Sequence, residues 1–141
     1  MNKKKFLLIA VVVALVAGYF VWDNFLKTAP SMKRLTAEYR VNAIDFYTEF
    51  EENEEAANVK YQNKVIEIMG EVQNVQITEG NLPVIDLKTE GFGVIKCTLE
   101  SDLSSEALNK INLNSTLVIR GECIGMLLDV QIGRAIVIEP A

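Results

Sequence analysis

Residues 64–77 read KVIEIMGEVQNVQI and carry the clearest two-residue period in the chain. Ile66, Ile68, Gly70 and Val72 fall on one face and Glu67, Met69 and Glu71 on the other, before the apolar phase slips and resumes at Val75 and Ile77. That is the pattern of one long, strongly curved strand with a bulge near Gly70. Downstream, Leu82 to Lys88 and Gly93 to Leu99 form two further runs around Thr89-Glu90-Gly91, a hairpin-length loop containing glycine. Ser104-Ser105-Glu106-Ala107-Leu108 with Ile111 reads as a short capped amphipathic helix. Two β-branched runs follow, Thr116 to Ile124 and Leu128 to Ile138, turning at Gly125-Met126. Five strands, the first long and curved, with a helix between the third and fourth, is the order of a five-stranded Greek-key OB barrel, a mainly β fold. An SH3-like barrel would not normally place a helix there.

Upstream of the strand, Asn42 is a helix N-cap, with Asp45 three residues later. Ala43, Phe46, Tyr47, Phe50, Ala57 and Tyr61 recur along one face, so an amphipathic helix is expected over 42–61. The track is interrupted at Asn53 and Glu54. Either the helix breaks there and Asn53 caps a second piece, or a polar residue faces the core, with Lys64 or a backbone amide as its contact. Residues 27–41 lack strong periodicity and contain Pro30, which suggests a tether. The expected division is therefore 1–26, 27–41 and a folded domain over 42–141.

The first 26 residues have another character. Lys3, Lys4 and Lys5 precede FLLIAVVVALVAGYFVW, residues 6–22, in which only Gly18 is not apolar. A secretory signal has a shorter apolar core of about 7 to 15 residues and a small-x-small cleavage site. Here the run ends in aromatics; Ala17 has Leu15 two positions before it and Ala29 has Lys27. A single-pass signal anchor is the better reading. Flanking lysines stay cytoplasmic, which puts the domain at the outer, periplasmic face of the cytoplasmic membrane. No cysteine follows the run to carry a lipid, and Ala10, Ala14 and Gly18 make only weak relatives of a helix-pairing motif, read as lipid-facing.

A family resemblance rests on the order of several short motifs. These are Phe50-x-x-Asn53-Glu54-x-x-Ala57-x-x-Lys60-Tyr61-x-x-Lys64, then Ile68-x-Gly70-x-Val72, Val94-x-x-Cys97, and Gly121-x-Cys123-x-Gly125 with Asp129-Val130. Over residues 43–138 the chain resembles the bacterial tRNA-anti-like OB-fold family, often preceded by an anchor or signal. The resemblance implies an OB barrel and supplies no catalytic residues to carry over.

Composition narrows the chemistry. With no histidine, the usual serine or cysteine triads and imidazole metal sites are excluded. Residues 31–141 hold 10 Lys plus Arg against 18 Asp plus Glu, a net of −8, which opposes phosphate binding over the whole field of the domain. Base stacking needs aromatics on the strands, and Phe92 at the start of the third is the sole candidate. The carboxylates Glu49, Glu51, Glu52, Glu54 and Glu55 fan around a helix and read as a solvated face rather than a cation site. Cys97 and Cys123 could form a disulfide in an oxidising compartment, or be two buried thiols. Gly125-Met126-Leu127-Leu128 is unusually apolar for a turn. Leu128 reads as core and Met126 as a plug of the barrel end; alternatively Met126 and Leu127, with Phe92, contact a protein. The expectation is a non-enzymatic binding module without cofactor or metal, engaging a protein or envelope component, with single-stranded nucleic acid as the disfavoured alternative.

Overall fold

The computed structural model describes residues 2–25 and 29–138. They fall into two compact units, 1–30 and 31–141. The first is a helix, α1 (Lys3–Phe25), long and apolar enough to cross a membrane. Its 23 residues extend about 35 Å at 1.5 Å per residue, against a hydrocarbon thickness of about 30 Å. Residues 1 and 26 of the expected anchor and residues 27 and 28 of the expected tether lie outside the described residues.

The second unit contains β1 (Tyr39–Asn42), α2 (Ala43–Glu52), α3 (Glu54–Tyr61), β2 (Val65–Gln76), β3 (Val84–Leu87), β4 (Ile95–Leu99), α4 (Ser105–Lys110), β5 (Thr116–Met126) and β6 (Val130–Ile138). Strands β2 to β6 close into a five-stranded barrel in the order β2-β3-β4-β6-β5, returned to β2 by β5. All neighbours are antiparallel except β4 and β6, which are parallel. This is the OB topology, with α4 between the third and fourth barrel strands.

β2 can serve two neighbours because it is long and alternates. Its first half pairs with β5 from Val65 opposite Glu122 to Glu71 opposite Thr116, and its second half pairs with β3. Ile66, Ile68 and Val72 point inward and have no exposed surface. The slip lies between Val72 and Asn74, two residues beyond the expected glycine. Gly70 has a different role: a Cβ there would lie 2.7 Å from the Ala43 Cβ, so the missing side chain lets α2 approach the strand. Ile77, expected inside, is exposed beyond the end of β2.

Helices α2 and α3 supply an aromatic cluster at the barrel end. Phe46 meets Tyr61 edge-on at 4.9 Å between centroids and Phe50 at 5.3 Å. Of the two arrangements open at Asn53, the break is the one formed. Asn53 ends α2, and its side-chain oxygen accepts from the Ala56 amide at 3.0 Å to start α3.

The expected tether over 27–41 is corrected from residue 31 onward. Ser31 caps a 3-10 turn at Met32–Arg34, and Met32 is fully buried. β1 then adds to β2 in parallel, Tyr39 opposite Ile66 through Asn42 opposite Met69. Side chains hold this segment down: Glu100 accepts from the Ser31 hydroxyl at 2.5 Å and the Met32 amide at 3.0 Å, while Arg120 donates to the Leu35 carbonyl at 3.0 Å. Arg120 and Arg40 both grip Glu67, whose side chain is only 12% exposed. The folded domain thus begins at residue 31, and every residue of its core lies between Met32 and Ala135.

Candidate functional site

Two loops meet at one end of the barrel, because the parallel strands β4 and β6 start side by side. They are residues 88–94, leading into β4, and 127–129, leading into β6. The Asp129 carboxylate joins them: one oxygen accepts from the Val94 amide at 2.9 Å and the other lies 3.6 Å from the Lys96 ammonium. The Val130 amide donates back to the Val94 carbonyl at 3.2 Å. From α2, the Tyr47 hydroxyl oxygen accepts from the Gly93 amide at 3.0 Å. No side chain fits at Gly93, where a Cβ would lie 2.7 Å from the Tyr47 hydroxyl oxygen and 2.8 Å from the Leu128 carbonyl oxygen. The Thr89 hydroxyl donates to the Gly93 carbonyl and closes the first loop on itself. These loops are fixed by side-chain bonds to the barrel and to α2.

On that rigid base stand three large apolar side chains. Phe92 is 109% exposed and Leu127 and Leu128 are each 86% exposed. Burying one such side chain is worth roughly 1.5–3 kcal/mol, and here none of that gain is taken within the fold. The sequence expectation of a partner contact at Phe92 and Leu127 falls on this exposed set. Met126 is half-buried against the core and belongs to the barrel end instead. Leu128, read as core, is out in solvent; the turn comes two residues later than expected, since β5 runs to Met126.

The outward face of β3 and β4, where OB barrels commonly take ligands, is polar. Asp86 is only 6% exposed and stands opposite Lys96. One of its oxygens accepts from Gln76 at 2.9 Å and Asn74 at 3.4 Å. Val84 and Thr98 complete the row, and no aromatic ring lies on it. Apart from Phe92, the domain's aromatics are Tyr39, Phe46, Tyr47, Phe50 and Tyr61, all in β1 and the two helices, so stacking of successive bases along this face has no platform.

Asn53, Glu54 and Lys64 do not come together. Asn53 caps a helix as described, Glu54 is exposed, and Lys64 pairs with Glu38 at 3.3 Å rather than with either of them. Glu49 stands apart from the other acidic residues of its run: it accepts from the Tyr61 hydroxyl at 2.8 Å and Lys60 at 3.0 Å. Of the two states open to Cys97 and Cys123, the structure has the second and not the disulfide: both are free, buried thiols. Each pairs in register with Ile132, one from either side. Two strand spacings of about 4.8 Å separate them, beyond the roughly 7 Å between Cα atoms that a disulfide can span. Burial pushes both thiols up, Cys123 to about 11.

Sequence reasoning placed Asp129 and Tyr47 without their roles. Asp129 belongs to the Asp129-Val130 pair within the family motifs, but its partner, the Val94 amide, lies in the loop before another strand, far away in sequence, where no local signal reports it. Tyr47 counted as one apolar residue of a helical face, and nothing in a helical period reports where a hydroxyl ends.

The family model described as tRNA_anti-like matches residues 1–135. No curated protein matches the chain. Among solved structures, a Klebsiella pneumoniae subsp. pneumoniae MGH 78578 protein, provisionally described as a nucleic acid-binding lipoprotein, is similar with a TM-score of 0.53. The two are 11% identical over 70% of this chain and 91% of that one, a likeness of fold alone.

Proposed function

We propose, from the premise that this chain belongs to the tRNA_anti-like family, that it is a non-enzymatic binding module whose ligand is a protein of the cell envelope. In this reading α1 is an uncleaved anchor, oriented by Lys3, Lys4 and Lys5, and the OB barrel stands at the outer face of the cytoplasmic membrane. The observation that carries the reading is the trio Phe92, Leu127 and Leu128, exposed together on loops that Asp129 and Tyr47 hold rigid. Rigid presentation lowers the ordering cost of association, and aromatic and aliphatic anchors of this kind dominate protein interfaces.

The domain's charge supports a protein over a polynucleotide. At a net of −8, residues 31–141 repel a phosphate backbone, and Lys96 on the β3–β4 face is already paired with Asp129.

The test is site-specific photocrosslinking of the full chain in native membranes, with the probe at Leu127 and, as control, at Glu79. A discrete protein adduct at Leu127, absent at Glu79 and lost in Phe92→Ala with Leu128→Ala, is expected. Absence of any protein adduct would overturn the reading. Binding of an oligonucleotide to residues 31–141 that weakens steeply between two salt concentrations would replace it with nucleic-acid recognition.

A further inference from the structure

The exposed trio Phe92, Leu127 and Leu128 is bordered by carboxylates. Gly91, directly before Phe92, lies against α2: a Cβ there would run into the Tyr47 ring and would lie 2.5 Å from a Glu51 carboxylate oxygen. Glu51 is thereby set beside the loop tip that carries Phe92, and Glu90 stands two residues before Phe92 on the same loop. Gly93, directly after Phe92, lies against the Leu128 carbonyl, so the two glutamates and the apolar trio share one end of the barrel. Both glutamates are exposed, and among the described residues neither has an ion-pair or hydrogen-bond partner. The lysines on the same loop, on β4 and on α3 are already committed: Lys88 to Glu71 at 3.6 Å, Lys96 to Asp129 at 3.6 Å and Lys60 to Glu49 at 3.0 Å.

We propose that the surface docked on this end of the barrel has an apolar centre flanked by lysine or arginine, a basic amphipathic segment of an envelope protein. The inference rests on the reading of the trio as a protein interface and specifies the chemistry of what covers it. A partner seated on Phe92 and the two leucines brings its rim against Glu51 and Glu90. Taking water from a carboxylate is strongly unfavourable unless a cation pairs with it, and a neutral or acidic rim supplies none. A guanidinium or ammonium at each glutamate restores the pairing, speeds the encounter and suppresses partners of the wrong charge. The net of −8 over residues 31–141 acts in the same direction at longer range and opposes an anionic lipid surface as the occupant.

The experiment uses the full chain in native membranes with the photocrosslinker at Leu127, unsubstituted, with Glu51→Gln and Glu90→Gln, and with Glu51→Lys and Glu90→Lys. Adduct yield at equal expression is expected to fall about threefold in the glutamine pair and about tenfold or more in the lysine pair. Raising salt from about 0.05 to about 0.5 M should lower the unsubstituted yield about threefold and leave the glutamine pair within about twofold. Mass spectrometry of the crosslinked peptide reads the partner's chemistry directly, and a net-positive segment with apolar residues on one face is expected. Changing its basic residues to glutamate should restore the yield with the lysine pair, a result that a misfolded variant cannot give. A protein adduct indifferent to both substitutions and to salt, a neutral or acidic crosslinked peptide, or failure of the charge exchange to restore the yield overturns this inference and leaves the protein-interface reading standing. A lipid adduct in place of a protein, or no adduct, overturns both.

Discussion

At the residue scale, the two cysteines show how burial decides chemistry. Cys97 and Cys123 both face the barrel interior with no exposed surface, and Ile132 stands between them. Desolvation penalises the thiolate and raises both pKa values, with Asp86 adding to the effect at Cys97. The native domain is therefore expected to leave both thiols unreacted with a thiol-specific reagent at pH 8 and to release two on denaturation without reductant. One released thiol or none would show that they are modified or bridged. The sign of the pH effect follows. A thiol whose folded pKa is raised contributes nothing to pH dependence below the unfolded value of about 8.5. Stability falls as pH rises through that value, and for Cys123 the fall continues to about 11. An alanine at both positions should flatten this alkaline limb. Gly70 is decided by space instead. A methyl group there meets Ala43 at 2.7 Å and Leu87 at 3.2 Å, so Gly70→Ala must push α2 off the strand and is expected to cost about 1–3 kcal/mol in urea denaturation. An unchanged midpoint would mean that α2 is not seated as described.

At the scale of elements, legibility tracked the length of the pattern. β2 repeats its alternation over a dozen residues, and each later barrel strand follows a run with turn residues at its ends, so the barrel order was readable. Asn42 was readable as a cap because a cap is local chemistry: its side chain accepts from the Ile44 amide two residues on. β1 was not readable. Four residues, Tyr-Arg-Val-Asn, cannot establish a period, and what makes them a strand is parallel pairing with β2 more than twenty residues later. The loop tips were readable in part, since an apolar turn is visible in sequence, but which of Met126, Leu127 and Leu128 faces solvent depends on where β5 stops. The Asn53 break carries a prediction of its own. Asn53→Ala removes the acceptor for the Ala56 amide and should cost about 1 kcal/mol. Glu54→Ala next to it removes only an exposed carboxylate in the first turn of α3 and should cost less than about 0.5 kcal/mol. Equal losses in thermal denaturation would mean that Glu54 has a contact beyond the helix end.

For the whole molecule, the question is where the independent folding unit begins. Sequence period places the boundary at residue 42, because apolar recurrence starts there. Contacts place it at residue 31, because Met32 is buried completely and two acidic side chains, Glu67 and Glu100, are committed to the segment before α2. A segment with one buried methionine has no repeating signal, yet it closes the barrel edge along the first half of β2. Replacing a buried methionine by alanine costs about 2–5 kcal/mol, and deletion also removes β1, the Arg40–Glu67 pair and the packing of Tyr39 and Val41 on the core. Against a typical stability of about 5–15 kcal/mol this is a large share. A chain of residues 31–141 should unfold in one cooperative step. A chain of residues 42–141 should lose at least about 3 kcal/mol or fail to fold, read from urea denaturation by near-ultraviolet circular dichroism of the tyrosines. The Glu100 contact adds a dependence on acid. Its carboxyl is held below the usual range by the Ser31 hydroxyl, so this contribution is present above about pH 4.3 and is lost as pH falls through the depressed value. Residues 42–141, lacking Ser31, should lose that part of the acid sensitivity. If the two chains unfold at the same denaturant concentration, residues 31–41 are a tether after all and the domain begins where the helical period does.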